Sequence, residues 1–385
     1  MSLALTWHDH ADDLPADLWA QGFAPPLEGV WWYRALERSR LEDQFRFLYA
    51  LVRDAQGQPL AISPCFVMDV PLEMFVPGPL LPIMRPLGRV FPSLLHQRTL
   101  FVGSPCSDRG WVGMRLGTDR LAVLRCVQYG VTAKARELGA PMRVWKDFPE
   151  AFEADLQALA YEQQMFRVVS FPGTEVPLNG GNKDDYFHAL PGGGGERLKR
   201  NIRRSVREVD LEPSIEQCPA AGTLDEVFGL FWQTYKRAAT RFERLNRGFF
   251  DHMASEPASR FILLRHRQDR RLVAFMLCFD LGPTLINKFV GFDYDRPRSW
   301  RLYFRLWDTF MDLAISLGKT SVESGQTGYA GKLVVGHRLL PLTNYCHHAN
   351  PLLRRIYRAV GSHVTWQSLD AELAGYSAPG LTAIR

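Results

Sequence analysis

Two stretches of this chain concentrate side chains with chemical potential. The first, GGGGERLKRNIRRSVREVD (192–210), sets four glycines ahead of a basic run. Leu198, Ile202, Val206 and Val209 recur at i, i+4, i+8 and i+11, which predicts a helix with one apolar face. Lys199, Arg200, Arg203, Arg204 and Arg207 take the opposite face. Free backbone N–H groups after glycine, the helix dipole and that basic face together suit a phosphate group. A solvated charged face on a surface helix is the competing reading, and both stand. The second stretch, VESGQTGYAGKLVVGHRLLPLTNYCHH (322–348), brings Glu323, Gln326, Tyr329, Lys332 and His337 close together in sequence. These types accept protons, donate them or face developing charge.

Other chemistries lack the spacing they need. Cys65, Cys106, Cys126, Cys218, Cys278 and Cys346 are far apart with no CxxC pair, so reduced thiols are expected rather than a zinc or redox centre. His8-x-His10 and His347-His348 have no carboxylate or cysteine at a recognised metal-ligand spacing, and no metal is expected. Ser104, Ser107 and Ser324 lie outside any Gly-x-Ser-x-Gly elbow, which argues against a serine nucleophile. Arg354, Arg355 and Arg358 add a second basic patch at helical spacing, read as solvated.

The elements that must position these residues follow one order twice. A helix at 31–39 precedes strands QFRFLYALVR and LAISPCFVMDV around a turn at Asp54–Gln58; then come the strand RTLFVGSPC (98–106), a helix from Asp119 to Gly139 and the strand PMRVWKDF. Helices at about 223–239 and 249–256 precede RFILLRHR and LVAFMLCFDL around Gln268–Arg271. The strand TLINKFVGFDY (284–294), the helix at 299–318 and the strand TSVESG complete the second copy. Between them, NGGNKDD and PGGGG read as breakers of a linker. The apolar, proline-rich 74–95 reads as a buried irregular connection, against a lid, an acyl-chain channel or a membrane-contacting loop.

A meander feeding a strand, a helix and a parallel strand is the order of elements in the GNAT fold. The segment LKRNIRRSVRE resembles the one that opens the C-terminal half of FemAB-like and BioF2-like acyltransferases of that superfamily. The stretch 322–348 resembles their signature, in which a strand delivers Gly-Gln, a short loop follows, and a lysine precedes a glycine and Pro-x-x-x-Tyr. Gln326, Tyr329 and Lys332 are the matching residues. The resemblance implies an α/β fold with mixed sheets (α+β) in two tandem GNAT-like domains: 1–175, a linker with the start of the basic helix at 176–198, and 199–385 carrying the active site. It implies direct transfer of an acyl or aminoacyl group from an activated donor onto an amine. Glu323 would accept the amine proton, with Asp293 and His337 behind it. Tyr329 or Tyr294 would protonate the leaving group, and Lys332 or backbone N–H groups near Gly291 would face the oxyanion.

The resemblance also has a departure. Ordinary GNAT enzymes hold the pyrophosphate of coenzyme A on an Arg/Gln-x-x-Gly-x-Gly/Ala turn, where only glycine lets phosphate approach the backbone. Here DRPRSWR (295–301) has no glycine, and Gly110, Gly113 and Gly117 of the first half do not fit the spacing. Donor binding is therefore assigned to Lys199, Arg200, Arg203, Arg204, Arg296 and Arg298. No tightly bound cofactor is expected. The co-substrate is acyl-CoA, an acyl-phosphopantetheine thioester on a carrier protein, or aminoacyl-tRNA. The acceptor is a small-molecule or peptide amine. The net charge of +5 is low for a dedicated tRNA binder and favours a thioester. The N-terminus has no basic n-region and apolar core, and no run of about 18 apolar residues spans a membrane, so a cytoplasmic protein is expected. The competing class is a non-catalytic GNAT-fold protein that recognises a peptide, glycan or carrier protein.

Overall fold

The computed structural model describes residues 3–41, 43–71, 96–178, 180–238 and 243–378, so the apolar stretch 74–95 lies outside the described residues. The first part of the chain forms β1 (Ala4–His8), α1 (Ala16–Gly22), α2 (Val30–Arg38), β2 (Arg46–Arg53), β3 (Pro59–Pro71), β4 (His96–Val102), β5 (Gly113–Met114), α3 (Arg120–Glu137), β6 (Met142–Pro149), α4 (Glu153–Glu162) and β7 (Phe166–Val169). Then come β8 (Gly173–Pro177), α5 (Lys183–Ala189), α6 (Gly194–Glu208), β9 (Leu211–Glu216), α7 (Ala221–Arg237), α8 (Arg247–Ala254), β10 (Ser259–His266), β11 (Leu272–Leu281) and β12 (Thr284–Phe292). The remainder is α9 (Leu302–Ser316), β13 (Ser321–Glu323), α10 (Tyr329–Val334), β14 (Arg338–Leu340), β15 (Leu342–His348), α11 (Pro351–Gly361) and α12 (Trp366–Leu369).

These elements form two compact units. Unit 1 comprises Met1–Ala24, Leu41–Pro172 and Pro341–Arg385; unit 2 comprises Pro25–Arg40 and Gly173–Leu340. Each has one mixed sheet. In unit 1 the order is β1-β2-β3-β4-β6-β15-β7, with β5 paired to β3; in unit 2 it is β9-β10-β11-β12-β13-β8-β14. Position by position the two sheets agree. Each carries a run of antiparallel strands, then one parallel pair (β4 with β6, β12 with β13), then an inserted strand antiparallel to both its neighbours. The helix of each parallel connection, α3 or α9, supplies buried apolar residues to the core: Val123, Leu124, Val127 and Val131 in unit 1, Leu306, Trp307, Phe310 and Met311 in unit 2. A crossover helix covering the sheet is what a parallel pair requires.

Three expectations about organisation need correction. The units are not contiguous halves: the inserted strand of unit 1 is β15, from beyond residue 340, so the boundaries at 175 and 199 do not divide the packing. Periodicity locates strands but carries no information about which sheet a strand joins. The described residues of the supposed linker at 176–198 include the whole of α5. Asn182 and Asp185 form a capping box, with Asn182 Oδ1 accepting from Asp184 N (2.8 Å) and Asp185 N (3.1 Å), so residues read as breakers start α5. Finally, α2 belongs to unit 2, where Trp31 and Trp32 pack on Phe279 and Trp32 also meets Phe249.

Turn chemistry explains the hairpins. Asp54 Oδ1 accepts from Gln56 N (2.9 Å) and Gln58 N (2.8 Å) and closes the β2–β3 turn. Asp269 Oδ1 accepts from Arg271 N (3.2 Å) in the β10–β11 turn. All six cysteines are free thiols, and burial pushes Cys65 and Cys346 up to about 12.

Because β15 lies between β6 and β7, a chain ending at Leu340 should lose unit 1 as a folded body. Hydrogen–deuterium exchange is expected to show the amides of Met142–Pro149 unprotected in the truncated chain; native-like protection there would refute the dependence.

Candidate active site

In unit 2 the parallel strands β12 and β13 pair only from Thr284 opposite Ser321 to Ile286 opposite Glu323. Beyond that point β12 continues on β11 to Phe292, while the chain after Glu323 turns away. Gly325, Thr327 and Gly328 all have positive φ (56°, 61° and 62°), which bends the loop sharply into α10 and explains two of its glycines. The strands therefore part, and Glu323 stands at the parting, 7% exposed.

Side chains replace the ladder where it ends. Asn287 Nδ2 donates to Glu323 O (3.3 Å) and to Ser324 Oγ (2.6 Å). Ser324 Oγ lies 3.0 Å from His337 Nε2, and Ser324 N donates to Thr174 O at 3.2 Å. The His337 ring sits 5.1 Å from Trp307, whose Nε1 donates to Tyr186 OH (2.8 Å); that hydroxyl donates to Val335 O (2.8 Å). Burial first, and Lys332 second, hold the imidazole well below its ordinary value. His337 is therefore neutral.

Lys332 reaches back under the loop. Its Nζ donates to the carbonyls of Gly325 and Gln326, each at 3.1 Å, and lies 5.6 Å from the centre of the Tyr329 ring. Thr174 Oγ1 donates to the same Gly325 carbonyl at 3.0 Å. Lys332 thus contacts the Gln326 main chain and the Tyr329 ring within one loop and the start of α10. Tyr329 and Lys332 are buried, while Gln326 is partly exposed on the loop. Across β8, Glu175 faces Glu323, and Arg338 Nε donates to Glu175 at 2.8 Å, so that carboxylate is neutralised.

The opposite wall is β12. Its register with β11 passes from Leu277–Phe289 to Cys278–Asn287, which leaves Lys288 as an extra, bulged residue. The Lys288 ammonium pairs with Glu28 at 2.5 Å, its side chain only 2% exposed, and lies 4.8 Å from the Trp32 ring. Since the residue as a whole is half-buried, what Lys288 exposes is main chain. Sequence reasoning missed Lys288, Asn287 and Glu28, because a bulge and a cross-chain ion pair have no linear signature.

Other expected residues lie apart from this parting. Asp293 follows β12 and closes a turn, accepting from Asp295 N (3.2 Å) and Arg296 Nε (2.9 Å); Arg296 also approaches Asp269 (3.6 Å). Arg298 is exposed in the one-turn segment Arg298–Trp300. Ser205 Oγ donates to Trp300 O (2.5 Å) and Ser299 Oγ to Glu208 (2.9 Å), which brings that segment to the C-terminal end of α6. On α6 the buried face is Leu198, Ile202 and Ser205, whereas Val206 is 55% exposed, a correction to the expected apolar stripe. Lys199 is held by Asp184 (2.9 Å) and Glu196 (3.6 Å). Arg200, Arg203 and Arg204 are exposed, with no ion pair among the described residues. The tetraglycine has a packing reason: Gly192 and Gly193 have positive φ, and a Cβ on Gly195 would lie 2.0 Å from Phe187 O. No group of three metal-ligand side chains occurs among the described residues.

Residues 196–329 match a family model described as an acetyltransferase (GNAT) domain, a span running from α6 to the first residue of α10. No curated protein matches the chain. Among solved structures it is similar to FemX, with 11% identity, coverage of 93% of this chain and 100% of that one, and a TM-score of 0.59. It is also similar to a tandem GNAT protein from the clavulanic acid biosynthesis pathway, with 13% identity, 91% and 99% coverage and a TM-score of 0.55. L-PGS from Bacillus licheniformis aligns at 11% identity over 83% and 90%, with a TM-score of 0.50. The fold is that of a tandem GNAT protein, with two mixed α/β units.

The neutral, buried His337 has a pH consequence. Its folded value lies below the ordinary 6.5, so below pH 6.5 the unfolded chain binds a proton that the folded chain cannot. Its contribution is present above that pH and is lost on acidification, by up to about 1.4 kcal/mol per pH unit. Urea unfolding of His337→Gln from pH 7.5 to 5 should show a shallower loss than wild type; parallel curves would refute a neutral buried imidazole.

Proposed function

We propose that this chain moves an acyl or aminoacyl group from an activated donor onto an amine, with the chemistry in unit 2 where β12 and β13 part. The observation carrying this reading is Glu323, a buried carboxylate in the last shared pair of two parallel strands, opposite Ile286, which lies two residues before the Lys288 bulge of β12. An amine nucleophile must lose a proton, and a carboxylate in a buried setting is suited to take it. Main-chain N–H groups along the parted strand are fixed dipoles that can face the carbonyl oxygen as it gains charge. The transfer is direct: the amine nitrogen bonds the donor carbonyl carbon, the thiolate or ribose oxygen leaves, and the proton passes to Glu323.

The loop residues divide by exposure. Lys332 and Tyr329 hold the loop in shape, while Gln326, partly exposed, is the member able to touch substrate. Tyr294 is 37% exposed but follows Asp293 beyond the end of β12, apart from the parting, and Tyr329 is buried, so neither tyrosine is assigned as proton donor to the leaving group. Asp293 is engaged with Arg296 and serves the turn. Arg298 with Arg200, Arg203 and Arg204 offers exposed guanidinium groups to the donor's phosphates, replacing a glycine-lined turn by side chains. The favoured donor is a thioester, acyl-CoA or acyl-phosphopantetheine on a carrier protein, with aminoacyl-tRNA second. The acceptor is a small-molecule or peptide amine. No helix among the described residues is long and apolar enough to cross a membrane.

Glu323→Gln should lower kcat/KM for a thioester donor by about 10²–10⁴ with the circular dichroism spectrum unchanged; wild-type turnover would remove Glu323 as the base. For the donor class, Arg203→Gln/Arg204→Gln should weaken thioester binding with a shallow salt dependence. A steep fall of tRNA affinity with salt, in wild type and not in the double variant, would select tRNA instead.

A further inference from the structure

Unit 1 holds a cluster of cationic side chains unrelated to the reaction above. Arg143 on β6 and His347 on β15 are directly opposite in the antiparallel pair, and Arg143 is only 4% exposed. The Arg143 Nη2 group faces His347 Nδ1, and Arg354 Nη1, from α11, lies 2.6 Å from His347 Nε2. A neutral imidazole has one lone pair and one N–H, so it can accept from only one of the two guanidinium groups. The Nε of Arg143 is buried with no hydrogen-bond partner among the described residues. Arg354 Nη2 is held by Gln164 Oε1 (2.9 Å), and Arg358 donates to the carbonyls of Gln164 and Met165 (3.3 Å each). Among the described residues, no carboxylate forms an ion pair with Arg136, Arg143, Arg354, Arg355 or Arg358.

A buried guanidinium without a counter-charge is costly, and here the buried Arg143 shares one uncharged ring with the half-buried Arg354. We propose that Arg143, His347 and Arg354, with the exposed Arg136 at the rim, form a binding site for a phosphate group. A phosphate dianion balances two guanidinium charges, which one carboxylate cannot, and its oxygens can accept from the Arg143 Nε and from whichever donor the imidazole leaves unmatched. The neighbourhood shows the same imbalance from the other side. Burial, then Arg143 and Arg354, hold His347 down to about 4, with His348 adding to the effect. Burial, with Arg136 and Arg354, lowers Arg143 to about 10.

Two sources can supply such a group, a soluble phosphate or a lipid headgroup. The second is relevant because α11 is inverted. Arg354 and Arg358 bond toward β15 and β7 and Gly361 packs on Val168, whereas Leu352, Leu353 and Ile356 are 64%, 38% and 48% exposed.

The test has three readouts. Calorimetric titration of the full chain with sodium phosphate, against sodium chloride of equal ionic strength, should show saturable binding that Arg354→Gln weakens by about tenfold or more. Flotation with phosphatidylcholine vesicles, with and without phosphatidic acid, should show phosphatidic-acid-dependent binding if the source is a headgroup, again lost in Arg354→Gln. Nuclear magnetic resonance titration of the wild-type His347 ring, which needs no variant, should show its value rising from about 4 when the phosphate or the phosphatidic acid is present, because a nearby anion favours the imidazolium. Binding in either of the first two arms with the His347 shift supports the site and names the source. A His347 value unmoved by both probes, or binding unaffected by Arg354→Gln, overturns it.

Discussion

The hydrogen-bond ladder between β12 and β13 ends after three residue pairs, and the candidate active site depends on how the polar groups beyond it are satisfied. Buried main-chain groups need partners. Asn287 gives one to the Glu323 carbonyl and ties Ser324 to the same point. Lys332 does the same for Gly325 and Gln326 with a charged donor, stronger than a neutral one. Parted strands thus stay parted without leaving the loop undetermined. The Ser324–His337 contact belongs to this scaffold: both groups are buried, and the imidazole is fixed in its neutral form between the loop and Trp307.

Buried charge is handled in two ways. On β12, Lys288 is matched by Glu28 at 2.5 Å under Trp32, so the bulge is anchored by a pair whose partners satisfy each other. In unit 1, Arg143 and Arg354 meet across His347 with no such acid among the described residues. One arrangement is closed within the unit; the other has capacity for an anion.

The inserted strands impose a further constraint. Each sheet places β8 or β15 between two strands already connected through a helix, and each inserted strand pairs on both edges. Neither sheet is complete without a strand whose predecessor in the chain belongs to the other unit, since β8 directly follows β7 and β15 directly follows β14. Contiguity in sequence is therefore a poor guide to what folds together here.

Local physics made much of this protein legible in its residues. Apolar periodicity located the strands, the two crossover helices and the repeated order of elements, because those patterns reflect burial of one face or stripe. The basic side of α6 and the grouping of Gln326, Tyr329 and Lys332 were also readable, since short-range spacing on a helix or tight loop fixes which side chains share a neighbourhood. What tertiary structure alone decided involves partners distant in the chain. Asn287, Ser324 and His337 meet from a strand and two loops, Glu28 reaches Lys288, and Arg143 reaches His347 across some two hundred residues. Val206 turned outward while Ser205 turned in to bond Trp300, a choice made by the surface α6 packs against. Propensity and spacing act over a few residues, whereas sheet membership and the neutralisation of buried charge are settled by free energies that exist only once the strands have paired.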